Sequence, residues 1–197
     1  MAPALISLTF NFQGPTGAPC MACASGNQAI IEAFSHIIDD RADMMIAGGT
    51  ESAVLPLAIS GFSRMKALST HFNDEPTKAS RPFDKDRDGF VMGEGAGVLV
   101  LEEYNHALSR YGSEEELNKH VYCEIGGFGV ATDAFHIAQP HPEGRGAREA
   151  MVRALEATGK RKLQKALQEG KQEGEKEEGE KKRETERREG AKGVGYI

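Results

Sequence analysis

The sequence predicts an α/β fold, in which helices cover a sheet that is buried on both faces. Two short apolar runs, Met44–Ala47 and Val98–Leu101, lie beside glycines and are typical of buried strands. Apolar runs of this kind alternate with segments of helical periodicity from Ala2 to Thr158. Alternation of the two element types is the pattern of layered α/β domains.

The first long helix is predicted to begin near Ser25. Apolar residues then recur at helical spacing on one face, at Ile30, Ile31, Phe34, Ile37 and Ile38. A shorter helix is predicted from Glu102 to Arg110, because Gly112 follows as a stop signal.

The later part of the chain predicts one more strand and one more helix. Val121, Cys123 and Ile125 alternate with polar residues, which favours a strand. Ala147, Met151, Ala154 and Leu155 form an apolar stripe at helical spacing.

Charge is distributed unevenly along the 197 residues. Residues 1–159 carry a net charge of −9, and residues 160–197 carry +3, which together make the overall −6. Nucleic-acid binding depends on Lys and Arg that displace counterions. An acidic body therefore excludes nucleic acid as its partner.

The segment after Thr158 is low in complexity, and Ala191 is its only apolar residue between Gln168 and Gly193. Such a segment cannot bury enough apolar surface to offset ordering costs of about 1–2 kcal/mol per residue. We expect a disordered or helical charged tail that acts as a solvated linker. A basic arm touching nucleic acid or anionic lipid is the alternative.

Cysteine usage and hydropathy bear on the compartment. Three cysteines, Cys20, Cys23 and Cys123, do not suggest a disulfide framework and favour a reducing compartment. The chain has no run of about 18 apolar residues and no basic secretory start. We expect a soluble, unprocessed protein.

Cys23 is the strongest candidate for a catalytic residue. It lies where a turn-rich segment becomes the first long helix, and a helix N-terminus favours a thiolate over a thiol. We expect a nucleophile; the alternative is a buried structural cysteine. Cys20 and Cys23 also have the C-x-x-C spacing of redox sites, although the sequence around them favours Cys20 as a small packing residue.

Two further motifs are weaker. Asp84–Gly89 imitates the start of a calcium loop, but Gly95 stands where the last, bidentate acid is needed. Gly93–Gly97 is glycine-rich but leads into a strand, so the geometry of a phosphate loop is absent. Neither motif predicts a metal or a nucleotide.

Six motifs follow one another along the chain: Gly14–Gly26, Met45–Glu51, Gly61–Ser69, Ser80–Phe90, Gly93–Gly97 and Asp133–His136. In their order and spacing they resemble the β-ketoacyl-acyl-carrier-protein synthases, the type II condensing enzymes. The resemblance covers roughly residues 1 to 158.

The resemblance implies a thiolase-like fold of αβαβα layers, here incomplete. Residues 1–112 would be part of the N-terminal half that carries the nucleophile, and residues 113–159 would begin the C-terminal half. Residues 160–192 would be a charged insertion and residues 193–197 the stub of the next strand. In the family, Ala2–Ser7 has counterparts well inside the domain, so we expect Met1 to be an internal residue of a longer protein.

The resemblance also implies a reaction and roles for single residues. Cys23 would be acylated from a carrier thioester, and decarboxylated malonyl-acyl-carrier protein would then attack the acyl group in fatty acid biosynthesis. Phe62 would line the acyl pocket, Asp133 and His136 would lie near the pantetheine channel, and Lys66 would meet the acyl-carrier protein.

Cofactors, partners and location follow from the same resemblance. We expect no resident cofactor and no metal, because the carrier protein brings the phosphopantetheine arm. The full-length form is expected to be a homodimer that binds neither nucleic acid nor membrane. Cytoplasm, or the matrix of a mitochondrion or plastid, is the expected location.

The family's two catalytic histidines have no counterparts among the motifs present. We therefore expect that the chain as written cannot complete condensation. Two alternatives stay open. The chain could be a non-catalytic relative that acts as an interaction protein, or the product of a broken gene model in which residues 160–192 are translated non-coding sequence.

Overall fold

The computed structural model describes residues 1–137 and 139–160. The chain divides into two compact units, Met1–His120 and Val121–Ile197. The predicted strand stub and all but the first residue of the predicted charged tail lie outside the described residues.

The first unit contains five helices and two strands among its described residues. In chain order they are α1 (Ala2–Phe10), α2 (Ser25–Ile38), β1 (Met44–Glu51), α3 (Pro56–Arg64), β2 (Gly95–Glu102), α4 (Tyr104–Tyr111) and α5 (Glu114–Asn118). Two short 3₁₀ turns, Ala22–Ala24 and Pro76–Lys78, precede α2 and follow α3.

Strands β1 and β2 form an antiparallel pair, whose register runs from Met44 opposite Glu102 to Glu51 opposite Gly95. Glycine is needed inside the pair at Gly48. A Cβ atom there would collide with the Gly97 carbonyl oxygen and lie 2.8 Å from the Val98 Cα. Small residues therefore let the two backbones approach closely.

Helix α2 packs on this strand pair, as its predicted apolar face requires. Ala33 of α2, Ala47 of β1 and Leu101 of β2 are buried. The predictions of a helix beginning near Ser25 and of strands at Met44–Ala47 and Val98–Leu101 are confirmed.

The sequence predicts strands that need cover on both faces, and the described residues leave β2 incompletely covered. Val98 and Val100 are 55% and 64% exposed, and Leu99 is half exposed. A single helix can cover only one face of a two-stranded sheet, and no second described helix packs extensively on the sheet.

Helix α4 is confirmed, but it begins two residues later than predicted. Glu102 ends β2, and the Glu103 carboxylate caps the helix by accepting a hydrogen bond from the His106 N–H at 2.7 Å. Gly112, with φ 80°, ends the helix and donates its N–H to the Leu108 carbonyl.

In the second unit, the strand predicted over Val121, Cys123 and Ile125 is absent from the described residues. A strand needs a partner for its ladder, and no described segment pairs with this one. Instead, the glycines that follow lie against a helix, α6, over residues 145–160: Gly127 is close to the Ala154 carbonyl and Gly129 to the Ala150 carbonyl.

The prediction of helix α6 is confirmed, and two large residues of its apolar stripe lie on the surface. Met151 and Leu155 are 61% and 72% exposed, whereas Gly146 is buried. The helix backbone contacts the glycine segment through its small residues, because these allow the closest approach.

Among the described residues, no helix has the length and the apolar character needed to cross a membrane.

Candidate active site

Cys23 is exposed and lies in the 3₁₀ turn Ala22–Ala24, immediately before α2. The Ser25 hydroxyl closes this turn: it accepts the Met21 N–H and donates to the Ala22 carbonyl, both at 2.8 Å. The Ala24 N–H also bonds to the Met21 carbonyl at 3.0 Å. Three hydrogen bonds therefore hold the backbone that carries the thiol.

Ala22 has a left-handed backbone, with φ 47°, directly before Cys23. A non-glycine residue in this region costs on the order of 1–3 kcal/mol, and such strain is concentrated at functional sites. The sharp turn places Cys23 at the N-terminal end of α2.

The first turn of α2 is fixed against the sheet. A Cβ atom on Gly26 would lie 3.5 Å from the Gly49 Cα, so the backbones of α2 and β1 are nearly in contact there. The position of Cys23 is therefore tied to the strand pair. The sequence predicted a helix beginning near Ser25 but not these hydrogen bonds; a serine at a helix start is the signal that would have found them.

Phe62, the predicted lining residue of an acyl pocket, lies on α3 and is half-buried. Its ring meets the Phe90 ring edge-to-face, with centroids 5.2 Å apart. Phe90 is held by its backbone, which exchanges hydrogen bonds of 3.0 Å with the Ala67 carbonyl and the Ser69 N–H. The segment after α3 thus carries the residue that packs on Phe62.

Asp88 links the end of this segment to its beginning through hydrogen bonds, a role that was not predicted from the sequence. Its carboxylate accepts hydrogen bonds from the Ser69 hydroxyl at 2.6 Å and from the N–H groups of Thr70 and His71 at 2.8 and 2.9 Å. These bonds, the Ser69 hydroxyl first, lower the pKa of Asp88 to about 2. No local pattern links residues this far apart in sequence, so only the fold could reveal the contact.

The acidic side chains of the motif Asp84–Gly89 form hydrogen bonds within this loop. The Asp84 carboxylate accepts the Asp86 N–H at 2.8 Å, and the Arg87 guanidinium donates to the Asp84 carbonyl. Arg81 donates to the Lys78 carbonyl and its guanidinium stacks on Phe72. Across residues 1–137 and 139–160, no group of three His, Cys, Asp or Glu side chains could hold a metal ion.

Lys66, the predicted contact for a carrier protein, lies two residues after the end of α3 and is exposed. Its backbone is left-handed, with φ 55°, and its N–H donates to the Ser63 carbonyl at 2.9 Å. The residue therefore lies on the surface, just beyond the helix.

Asp133 and His136 lie in the second unit, where they line one shallow pocket. The Asp133 carboxylate accepts the His141 N–H at 2.9 Å and the Gly146 N–H at 2.7 Å, and these bonds lower the pKa of Asp133. The exposed His136 accepts the Gln139 N–H through Nδ1 at 3.1 Å. The structure thus brings Asp133 and His136 together, and Asp133 joins the loop to the start of α6.

The family model described as "Beta-ketoacyl synthase, N-terminal domain" matches residues 1–107, more than half of the chain. The chain belongs to the β-ketoacyl synthase family. The resemblance found in the sequence motifs is therefore confirmed.

Relatives and solved structures agree with this family. The chain is 51% identical over 159 residues to the mitochondrial 3-oxoacyl-[acyl-carrier-protein] synthase of Arabidopsis thaliana. The matched region covers 81% of this chain and 33% of that protein. It is 45% identical over the same length to 3-oxoacyl-[acyl-carrier-protein] synthase 2 of Rhizobium meliloti, covering 36% of that protein. The chain thus spans about a third of the length of the curated relatives it matches.

Among solved structures, a β-ketoacyl synthase from Burkholderia phymatum is similar at a TM-score of 0.65 and 40% identity, over 79% of this chain and 36% of that one. A type II polyketide ketosynthase solved with its acyl-carrier protein is similar at a TM-score of 0.63 and 36% identity, over 70% and 32%. The described part of this β-ketoacyl synthase chain therefore has part of the thiolase-like fold, and the predicted fold class is confirmed.

Proposed function

We propose that this chain is the nucleophile-bearing part of a β-ketoacyl-acyl-carrier-protein synthase, an acyltransferase of fatty acid biosynthesis. The observation that carries the proposal is the exposed Cys23 thiol, held by a hydrogen-bonded turn at the start of α2. A cysteine that is reachable and firmly positioned is what covalent acyl transfer requires.

In the proposed reaction, the Cys23 thiolate attacks the carbonyl carbon of an acyl thioester. The new carbon–sulfur bond makes an acyl-enzyme, and the pantetheine thiolate of the carrier leaves with its electron pair. The full-length protein would then join this acyl group to decarboxylated malonyl carrier. The names of the relatives, 3-oxoacyl-[acyl-carrier-protein] synthases, support this substrate class.

Three side chains are proposed to bind the substrate. Phe62 would contact the acyl chain, because its packing on Phe90 leaves an apolar ring half exposed beside a braced loop. Asp133 and His136 would lie along the pantetheine arm, since both line the same shallow pocket.

The proposed partner is an acyl-carrier protein, which would deliver the phosphopantetheine arm, so that no resident cofactor is needed. Lys66 supports a contact with an acidic carrier, because it is exposed at the end of α3. A similar ketosynthase was solved in complex with its carrier protein. We further propose a homodimer for the full-length form.

The proposed location is the cytoplasm, or the matrix of a mitochondrion or plastid, because relatives carry mitochondrial and chloroplastic names and others are bacterial.

We propose that residues 1–112 belong to the N-terminal half of the synthase and residues 113–159 to the start of its C-terminal half. Residues 160–192 would be an insertion in the synthase sequence.

The test is acylation of the purified chain by an acyl-carrier protein charged with a saturated acyl group. We expect the acyl mass on the peptide that contains Cys23, and its release by neutral hydroxylamine, which cleaves thioesters. Cys23→Ala should carry no acyl group, whereas Cys123→Ser, a matched change at another exposed cysteine, should be acylated like the parent.

The carrier contact is tested in the same assay. Lys66→Glu should slow acylation at low carrier concentration, and the difference should shrink at high salt, because exposed charges are then screened. Acylation of Cys23→Ala as strong as that of the parent would overturn the proposal. A folded chain that is never acylated would favour the non-catalytic interaction protein instead.

A further inference from the structure

Cys20 and Cys23 are both exposed, on a short segment that turns sharply. The expectation that Cys20 is a small packing residue is therefore wrong: its side chain is not packed in a described core. The two accessible thiols, one of them the proposed nucleophile, have the spacing of redox-active cysteine pairs.

The backbone turns between the two cysteines. Three residues of extended chain span at most about 10–11 Å, and a disulfide needs Cα atoms about 4.4–6.8 Å apart. The left-handed Ala22 and the hydrogen bond from the Ala24 N–H to the Met21 carbonyl bend the chain between and beyond them. The three hydrogen bonds use the backbone of Met21, Ala22 and Ala24 and the Ser25 hydroxyl, so rotation of the Cys20 side chain about its Cα–Cβ bond leaves all three in place.

We propose that Cys20 is a resolving thiol, which forms a reversible disulfide with Cys23 when the protein meets a hydroperoxide. This proposal rests on the proposed function for the identity of Cys23 as the nucleophile. A thiolate that attacks acyl carbonyls also attacks peroxides, and an exposed position admits the oxidant.

The chemistry proceeds in two balanced steps. The Cys23 thiolate attacks one oxygen of hydrogen peroxide, the O–O bond breaks, and Cys23 sulfenic acid and hydroxide form. The Cys20 thiol then loses its proton and attacks the Cys23 sulfur; the S–S bond forms, the S–O bond breaks, and hydroxide leaves. The two hydroxides take up the protons that Cys23 and Cys20 lost and become water. Two thiols are oxidised and one peroxide is reduced to two waters.

The disulfide would stop acyl transfer and protect the nucleophile at the same time. Sulfenic acid oxidises further to sulfinic acid, which common thiol reductants do not reverse. A disulfide with Cys20 removes the sulfenic acid before that step, and a dithiol reductant restores the thiolate.

The experiment treats the full chain with hydrogen peroxide, blocks remaining thiols with an alkylating reagent, and maps the peptides by mass spectrometry. In the parent we expect a Cys20–Cys23 peptide lighter by two hydrogens, no alkylation at either residue, and full reversal by dithiothreitol. Cys123→Ser should give the same result, because it changes an exposed cysteine outside the pair.

The Cys20→Ser and Cys20→Ala variants separate a resolving role from simple oxidation. Both should lose the disulfide and instead show Cys23 as a dimedone-trapped sulfenic acid, or as sulfinic acid that dithiothreitol does not reverse. The proposal is overturned if peroxide gives sulfenic or sulfinic acid at Cys23 to the same extent with and without Cys20.

The two proposals fail in different ways, because the disulfide is measured without any acyl donor. A disulfide in a chain that is never acylated supports the redox pair and contradicts the proposed function. Acylation of Cys23 with no disulfide after peroxide supports the function and contradicts the resolving role of Cys20.

Discussion

Gly89 joins two residues on which the loop after α3 depends: Asp88, whose carboxylate binds Ser69, Thr70 and His71, and Phe90, whose ring contacts Phe62. The backbone of Gly89 has φ 148°, a conformation that residues other than glycine rarely adopt. A Cβ atom there would lie 2.5 Å from the Leu68 carbonyl carbon and 2.6 Å from the Ser69 nitrogen.

Gly89→Ala should therefore destabilise the first unit strongly. The backbone conformation alone costs on the order of 1–3 kcal/mol, and the clash with backbone atoms adds to it. The free energy of unfolding in urea, followed by circular dichroism, measures the loss.

Gly93→Ala is the matched control, because nothing lies within 4 Å of a Cβ there and its φ is not positive. It should change the unfolding free energy by less than about 0.5 kcal/mol, as surface changes usually do. Equal stability of the Gly89 and Gly93 variants would contradict the structure of this loop.

At the scale of elements, α4 and the segment that contains α5 are joined by a hydrogen bond and by a ring contact. The Tyr104 hydroxyl donates to Glu114 at 2.6 Å, and the rings of Tyr111 and His120 stack with centroids 4.8 Å apart. Helix α5 has five residues and is too short to be stable alone, so its cap matters. The Ser113 hydroxyl supplies that cap by accepting the Glu116 N–H at 3.2 Å.

Ser113→Ala should cost about 0.5–2 kcal/mol, the usual effect of losing an N-cap. Hydrogen exchange of the α5 amides should accelerate by the corresponding factor. Ser113→Asp should retain most of the protection, since Asp caps helices as well as Ser does. Loss of protection in both variants would show that packing, rather than the cap, holds α5.

At the scale of the whole molecule, depressed carboxyl pKa values link stability to pH. The Ser69 hydroxyl and two backbone N–H groups lower the pKa of Asp88 from 3.8 to about 2, and Arg110, then His106, lower the pKa of Glu102 from 4.5. Asp133 of the second unit is lowered by backbone N–H groups. Each group binds protons more weakly in the folded state than in the unfolded state.

Thermal unfolding should therefore show a stability that is present above about pH 4.5 and is lost as the pH falls toward 2. The sign follows from linkage: below its unfolded pKa, each carboxyl is protonated first in the unfolded chain, which favours unfolding. Asp88→Asn should make the decline shallower between about pH 4 and pH 2. A melting temperature that is constant over this range would contradict the hydrogen bonds assigned to these carboxylates.

The sequence by itself determined the features that depend on near neighbours. Helices α2, α4 and α6 follow from periodicity and from stop signals such as Gly112, β1 and β2 from short apolar runs, and the place of Cys23 from the turn before α2. The motif order also sufficed to identify the family.

Only the tertiary structure decided which surfaces are covered and which distant groups meet. Val100 is as apolar as a buried strand residue, yet it is exposed, because burial depends on the layer opposite. Segment 121–125 alternates like a strand but has no described strand to pair with. The hydrogen bond that the Ser69 hydroxyl donates to the Asp88 carboxylate joins residues that meet only because of the path of the whole loop, which local sequence patterns do not encode.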